Sequence, residues 1–218
     1  MAETVLCQVT SDKKRGRIAF KENISSNLAV WPHSWPDGEV SYRLNNYSSD
    51  FDERHQIRAI TVALRAWQLR INKIRFRRER NPDVSVDFDV SFEPANHFSS
   101  PNVLAHAYFP GQGDISGDVH INDGWGWVSG VHLADMAFPP LVPIMIHEFG
   151  HSLGLTHDTD TSSQNTEIMY PSFNLGRKKT TLGPNDIFRI QERYGARSLS
   201  QRIIDYFANR RALGWDFK

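Results

Sequence analysis

From His147 to His157 the chain reads His-Glu-Phe-Gly-His-Ser-Leu-Gly-Leu-Thr-His, the pattern H-E-x-x-H-x-x-G-x-x-H, and few local structures satisfy it. The first half must be helical, because positions four apart then lie one turn above each other and His147 and His151 can share one metal ion. Glu148 falls beside that face, where its carboxylate can reach a water on the metal without being a ligand. Gly154 comes one turn after His151. A residue free to take positive φ ends the helix there and returns the chain to the metal, which brings His157 in as a third ligand. Three neutral imidazoles leave the fourth position of a tetrahedral zinc open to water, whose pKa falls to roughly 7 in such sites. Sealed zinc sites typically use four ligands, often cysteines, and this chain has one cysteine, Cys7. A core helix carrying histidines by chance would have to match five specified positions at once.

The rest of the composition sets limits. At 218 residues, with 39% hydrophobic content and six tryptophans, the chain can bury one substantial core. Lys plus Arg and Asp plus Glu number 25 each, so neither nucleic acid nor an anionic membrane is expected as the main partner. The basic clusters at Lys13–Arg17, Arg75–Arg80 and Arg177–Lys179 read as solvated surface. A single cysteine allows no internal disulfide, so packing and metal must hold the core. No apolar h-region opens the chain and no stretch is long enough to span a bilayer, so no signal peptide or membrane span is visible. The sequons at Asn23 and Asn46 are a weak pointer to secretion.

Periodicity divides the chain into a polar, basic leader over 1–30, a domain over 31–196 and a C-terminal helical extension over 197–218. Val40, Tyr42 and Leu44 alternate as a half-buried strand over 39–44. Ile57, Ile60, Leu64, Trp67 and Ile71 step by three and four, with Asp50 and Asp52 before them, and predict a long helix. Further strands are expected over 75–80, 84–92, 104–109 and 119–122, the last two joined by a Gly-rich turn over 110–117. The metal helix is expected from about Pro139 or Leu141 to Leu153. A later helix, capped by Asn185 or Asp186, runs through Tyr194, and another covers 199–211.

With its surroundings, the motif resembles the matrixins, the matrix metalloproteinase family of the metzincin clan of zinc endopeptidases, over roughly 31–195. Ile168-Met169-Tyr170-Pro171 resembles the Met-turn, with Met169 beneath the zinc. Leu104 to Gly111 and Gly117 to His120 are similar to the strand and loop that hold a structural zinc and a calcium. Leu182 to Gly195 is similar to the C-terminal helix of the family. The resemblance implies an α+β fold in which a twisted mixed β-sheet packs on a long helix and on the zinc helix, followed by the Met-turn and the C-terminal helix. It implies Zn2+ at His147, His151 and His157 with Glu148 as general base, and a second, structural Zn2+ at His97, His106 and His120. It also implies Ca2+ at Asp87, Asp118 and the carbonyl of Gly113.

The same resemblance implies hydrolysis of internal peptide bonds in protein substrates. These would lie extended along Ala105, Ala107 and Tyr108, with a hydrophobic S1′ pocket walled by Pro171 to Phe173. Extracellular-matrix-type or other secreted proteins would be the substrates, the enzyme would act as a monomer, and its location would be extracellular. Three departures stand out. Ser99 replaces the aspartate two residues after the first structural-zinc histidine. Asp158 follows the third ligand where matrixins usually carry serine and adamalysin-type metzincins carry aspartate. Leu6-Cys7-Gln8 has none of the Pro-Arg-Cys-Gly setting of the inhibitory prodomain, and no hemopexin-like domain is visible. An adamalysin-like metzincin and a catalytically silent, peptide-binding zinc module therefore remain as alternatives.

Overall fold

A computed structural model describes residues 4–6, 31–129, 139–174 and 180–201. Its elements are β1 (Thr4–Leu6), β2 (Gly38–Leu44), α1 (Glu53–Gln68), β3 (Ile74–Arg78), β4 (Phe88–Glu93), β5 (Ala105–Ala107), β6 (Val119–Asn122), α2 (Leu141–Ser152), β7 (Ser172–Asn174) and α3 (Pro184–Tyr194). Five strands form one mixed sheet in the order β3-β2-β4-β6-β5. The first four are parallel neighbours, while β5 runs antiparallel to β6 and forms an edge. The fold is α+β, with α1 and α2 packed together against the sheet.

The long helix begins where its charges predict. Asp52 is the N-cap and its Oδ1 accepts from the Arg54 amide at 2.8 Å. Its inner face is Gln56, Ala59, Ile60, Ala63, Leu64 and Trp67, all buried. Ile71 is also fully buried, but it lies past the helix end and bridges to Ala196. Trp67 does more than fill volume: its indole N–H donates to the Ile146 carbonyl at 2.8 Å and pins α1 to α2. Every residue of α2 is buried, so this helix runs through the core. Its first turn carries Pro143 where an amide would have no helical partner.

The strands are shorter than the alternation suggests. Residues 84–87 are not strand, and Val84 is exposed. β2 offers β4 only Tyr42 to Leu44, so the pairing starts at Phe88. β3 likewise ends at Arg78, because Glu79 Oε1 accepts the amides of Arg80 and Asn81 and turns the chain.

Of the leader only Thr4–Leu6 is described, as β1 paired antiparallel with β7. The expected C-terminal helix is described only at Leu199–Gln201, which are helical. Cys7, the Lys13 and Arg177 clusters and the rest of 202–218 lie outside the described residues.

Candidate metal centre

The motif folds as its spacing requires. His147 and His151 stand one turn apart on α2, and His157 returns to them from the following loop. The His151 Nε2 lies 3.1 Å from Nε2 of His147 and 3.2 Å from Nε2 of His157. Bonds of roughly 2.0–2.1 Å at tetrahedral angles would separate nitrogens by about 3.3 Å, so the donor set fits zinc. The tautomers fit as well. Nδ1 of His147 is 2.7 Å from the Ile168 carbonyl and Nδ1 of His151 is 2.7 Å from the Leu155 carbonyl. A carbonyl oxygen only accepts, so in each ring Nδ1 carries the proton and Nε2 presents its lone pair inward. Burial pushes His147 down to about 4 and His157 down to about 3, and holds His151 well below the usual histidine range. All three are neutral at pH 7, as metal ligation demands.

Two glycines shape the metal helix and its exit. Gly154 has φ of 88°, and its amide donates to the His151 carbonyl at 2.7 Å, which closes the helix end. Gly150, inside the helix, meets the Met-turn: a Cβ there would lie 2.2 Å from Met169 Sδ. Met169 is fully buried, and its carbonyl accepts from the Asp158 amide at 2.9 Å. Glu148, next to His147, is also fully buried on α2.

Asp186, expected only as a possible cap, lies at the third position of α3 behind the N-cap Gly183, and it organises the far side of the centre. Its carboxylate accepts from the amides of Ile168 at 2.7 Å, Met169 at 3.3 Å and Gly183 at 2.8 Å. Ile168 in turn holds His147, so α3 reaches the metal site through one peptide unit. Burial raises the pKa of Asp186, and those amides act against that shift. Asp158 is buried too and accepts from the Asn185 side-chain amide and the Asp160 amide, each at 3.1 Å. An aspartate directly after a metal ligand was the available signal, but spacing cannot show that it is buried or that Asn185 meets it.

The edge strand β5 packs beside the metal helix. Ala105 and Ala107 of β5 are buried, Tyr108 is half-buried, and Phe109 meets the His151 ring edge-on at 5.7 Å between centroids. Pro171, half-buried, leads from the Met-turn into β7, which contains Phe173.

A second triad stands on the sheet. His97 Nε2 is 2.9 Å from His120 Nδ1 and 3.4 Å from His106 Nε2, and the latter two nitrogens are 3.0 Å apart. Burial, then the charges of His120 and His97, push His106 down to about 3. Among the described residues these two triads are the only clusters of three or more metal-type side chains. Asp87 and Asp118 do not join one. The Asp87 Oδ2 accepts from the amide and hydroxyl of Ser41, both at 2.6 Å, and Asp118 Oδ1 accepts from the Asp89 amide at 2.7 Å. Gly113, with φ of 71°, starts a 3-10 turn after β5.

A mixed five-stranded sheet, a metal helix, a Met-turn and a closing helix make up a metzincin-type domain. The matrixin family pattern matches residues 31–195. Similar proteins include a matrilysin from Felis catus, 34% identical over 176 residues, covering 77% of this chain and 62% of the relative. Matrix metalloproteinase-18 from Xenopus laevis is 33% identical over 172 residues, 76% of this chain and 34% of the relative. Matrix metalloproteinase-20 from Homo sapiens is 31% identical over 196 residues, 85% and 37% respectively. The chain thus spans about a third of the length of two of these relatives and 62% of the third. It belongs to the matrixin family, and Asp158 does not move it to the adamalysins. No described helix is long and apolar enough to cross a membrane.

Proposed function

We propose that this chain is an endopeptidase that cuts internal peptide bonds of secreted or extracellular-matrix-type proteins, with residues 31–196 as its catalytic unit and a monomer as its working form. The observation that carries this reading is the convergence of three Nε2 atoms, two of them oriented by backbone carbonyls, beside the buried Glu148. Zinc, when bound there, supplies Lewis acidity toward the scissile carbonyl and lowers the pKa of water at its open position. Glu148 takes the proton from the attacking water and returns it to the departing amine. Burial keeps competing water away from that carboxylate and strengthens its electrostatic effect.

Substrate positioning falls to β5. As an edge strand it presents backbone groups at Ala105 and Ala107 to an extended peptide, which adds to the sheet as a further strand. The segment from Pro171 to Phe173, which follows the Met-turn, is the wall proposed for an apolar P1′ side chain. His97, His106 and His120 hold a second zinc. For calcium, Asp87 and Asp118 provide the carboxylates, but each already has protein donors, so that reading has less support.

The test is cleavage of a quenched fluorescent peptide with an apolar P1′ residue, with and without 1,10-phenanthroline, alongside zinc content. Chelator-sensitive cleavage by zinc-loaded protein supports the endopeptidase. A zinc-loaded chain that cuts neither this peptide nor a diverse pool is instead a silent peptide-binding module.

A further inference from the structure

The second triad differs from the first in what could complete it. We infer that His97, His106 and His120 form a metal site with three protein donors only, whose fourth position is open to a small monodentate anion and whose metal is therefore exchangeable. This rests on the reading of the triad as a zinc site, and it is independent of the catalytic role of Glu148. Three observations carry it.

First, the ring nitrogens lie 2.9, 3.0 and 3.4 Å apart, the spacing that a shared tetrahedral ion sets at about 3.3 Å. An N–H of one neutral ring can bond a single neighbour, whereas one ion serves all three nitrogens at once. Second, the described residues place no fourth donor of the usual kind within reach. Among the described residues no carboxylate or thiol joins the three nitrogens. Ser99, two residues after His97, is an exposed hydroxyl. Glu93 and Asp89 are close enough for their charge to act on His120. However, Glu93 Oε1 accepts from the Ser91 hydroxyl at 2.6 Å, and Arg43 pairs with Asp89 at 3.3 Å.

Third, the site faces solvent on one side. His106 is buried and His120 half-buried, but His97 is exposed. Phe98 packs edge-on to His97, with centroids 5.1 Å apart. Tyr108 packs edge-on to His106 and His120, at 5.5 Å each. These rings wall the flanks. Three neutral imidazoles leave the full charge of a divalent ion uncompensated, which favours an anion at a position that water can reach. A site sealed by four protein ligands has no such vacancy, and a carboxylate at position 99 would be one way to seal it.

Cobalt(II) tests this, because its visible bands report coordination and anion binding directly. Wild type, His97→Ala and Ser99→Asp would be loaded with cobalt, counted for metal and titrated with azide. The expected result is two equivalents in wild type and in Ser99→Asp, and one in His97→Ala. The azide-induced change in wild type should exceed that in Ser99→Asp by a saturable component, since azide can also bind at the first triad in both. Metal loss from the second site to a competing chelator should be at least about tenfold slower in Ser99→Asp, the lower end of what a partner of a metal ligand contributes.

One equivalent in wild type would mean that there is no second site, and the zinc reading falls with it. Two equivalents with identical azide responses in wild type and Ser99→Asp would leave the zinc reading standing and overturn the open position. Because Ser99 is exposed, that comparison holds even if His97→Ala does not fold.

Discussion

The two histidine triads place similar donors at similar spacings and differ in everything around them. The first sits on a helix that is buried along its whole length, with two rings fixed by backbone carbonyls at 2.7 Å. The second joins a 3-10 turn to two strands at the sheet edge. There, among the described residues, no backbone carbonyl orients a ring, and His97 is exposed. Fixed tautomers and a carboxylate beside the open metal position are what hydrolysis requires of a metal site. Ligand count alone does not assign a role. The shell that holds the ligands decides what the metal can do.

The sharpest way to break this comparison is to remove a ligand from the buried triad. His151→Ala should abolish peptide cleavage and lower metal content by one equivalent, leaving the other on the sheet. Elemental analysis after gel filtration checks it, and loss of both equivalents would show the triads to be coupled rather than separate. Glu148→Ala comes next. Turnover should drop by about 10²-fold or more, the scale of general acid and base catalysis, with metal content unchanged. Retained turnover would remove Glu148 from the mechanism and leave the first triad as a binding site only.

How far these differences can be read without a structure depends on their range in the chain. The first triad is local: eleven residues give both the helix and the turn, and periodicity placed α2, α3 and β6 closely. The resemblance to matrixins supplied the second triad, whose three members come from separate elements. Two features stayed hidden because they are contacts between distant residues. Nothing in the sequence shows that Asp186 grips the Ile168 amide, or that Asn185 donates to Asp158. The strand expected over 84–92 forms only from Phe88 on, for a similar reason. Alternation describes which residues could face a core, while the length of the neighbouring strand decides how many are paired. Val84 continues the pattern but has no partner in β2.

Gly150→Ala sharpens the comparison from the packing side. The added methyl would meet Met169 Sδ at 2.2 Å, with Met169 Cε and Trp67 Cζ2 at 3.0 Å, all within the core. Overpacking of this kind costs about 1–3 kcal/mol. Urea denaturation should show it. Zinc affinity should fall at the first triad and stay unchanged at the second, because only α2 and the Met-turn would shift. Equal weakening at both would argue that the sheet and α2 respond as one unit.

The smallest effect is expected from His97→Ala. The residue is exposed, so its removal leaves no cavity in the core, and in metal-free protein it should hardly change stability. It should, however, release the second metal and with it the tie between the 3-10 turn, β6 and His106. His106 lies between Ala105 and Ala107 on the strand proposed to pair with substrate. Loosening that strand weakens contacts made equally in the bound substrate and in the transition state. KM should therefore rise, by no more than about tenfold or 1.4 kcal/mol, while kcat is kept. Steady-state kinetics on the fluorescent peptide separates the two constants. A fall in kcat at unchanged KM would mean that the second triad influences the reacting groups themselves, and the division of labour between the two centres would have to be redrawn.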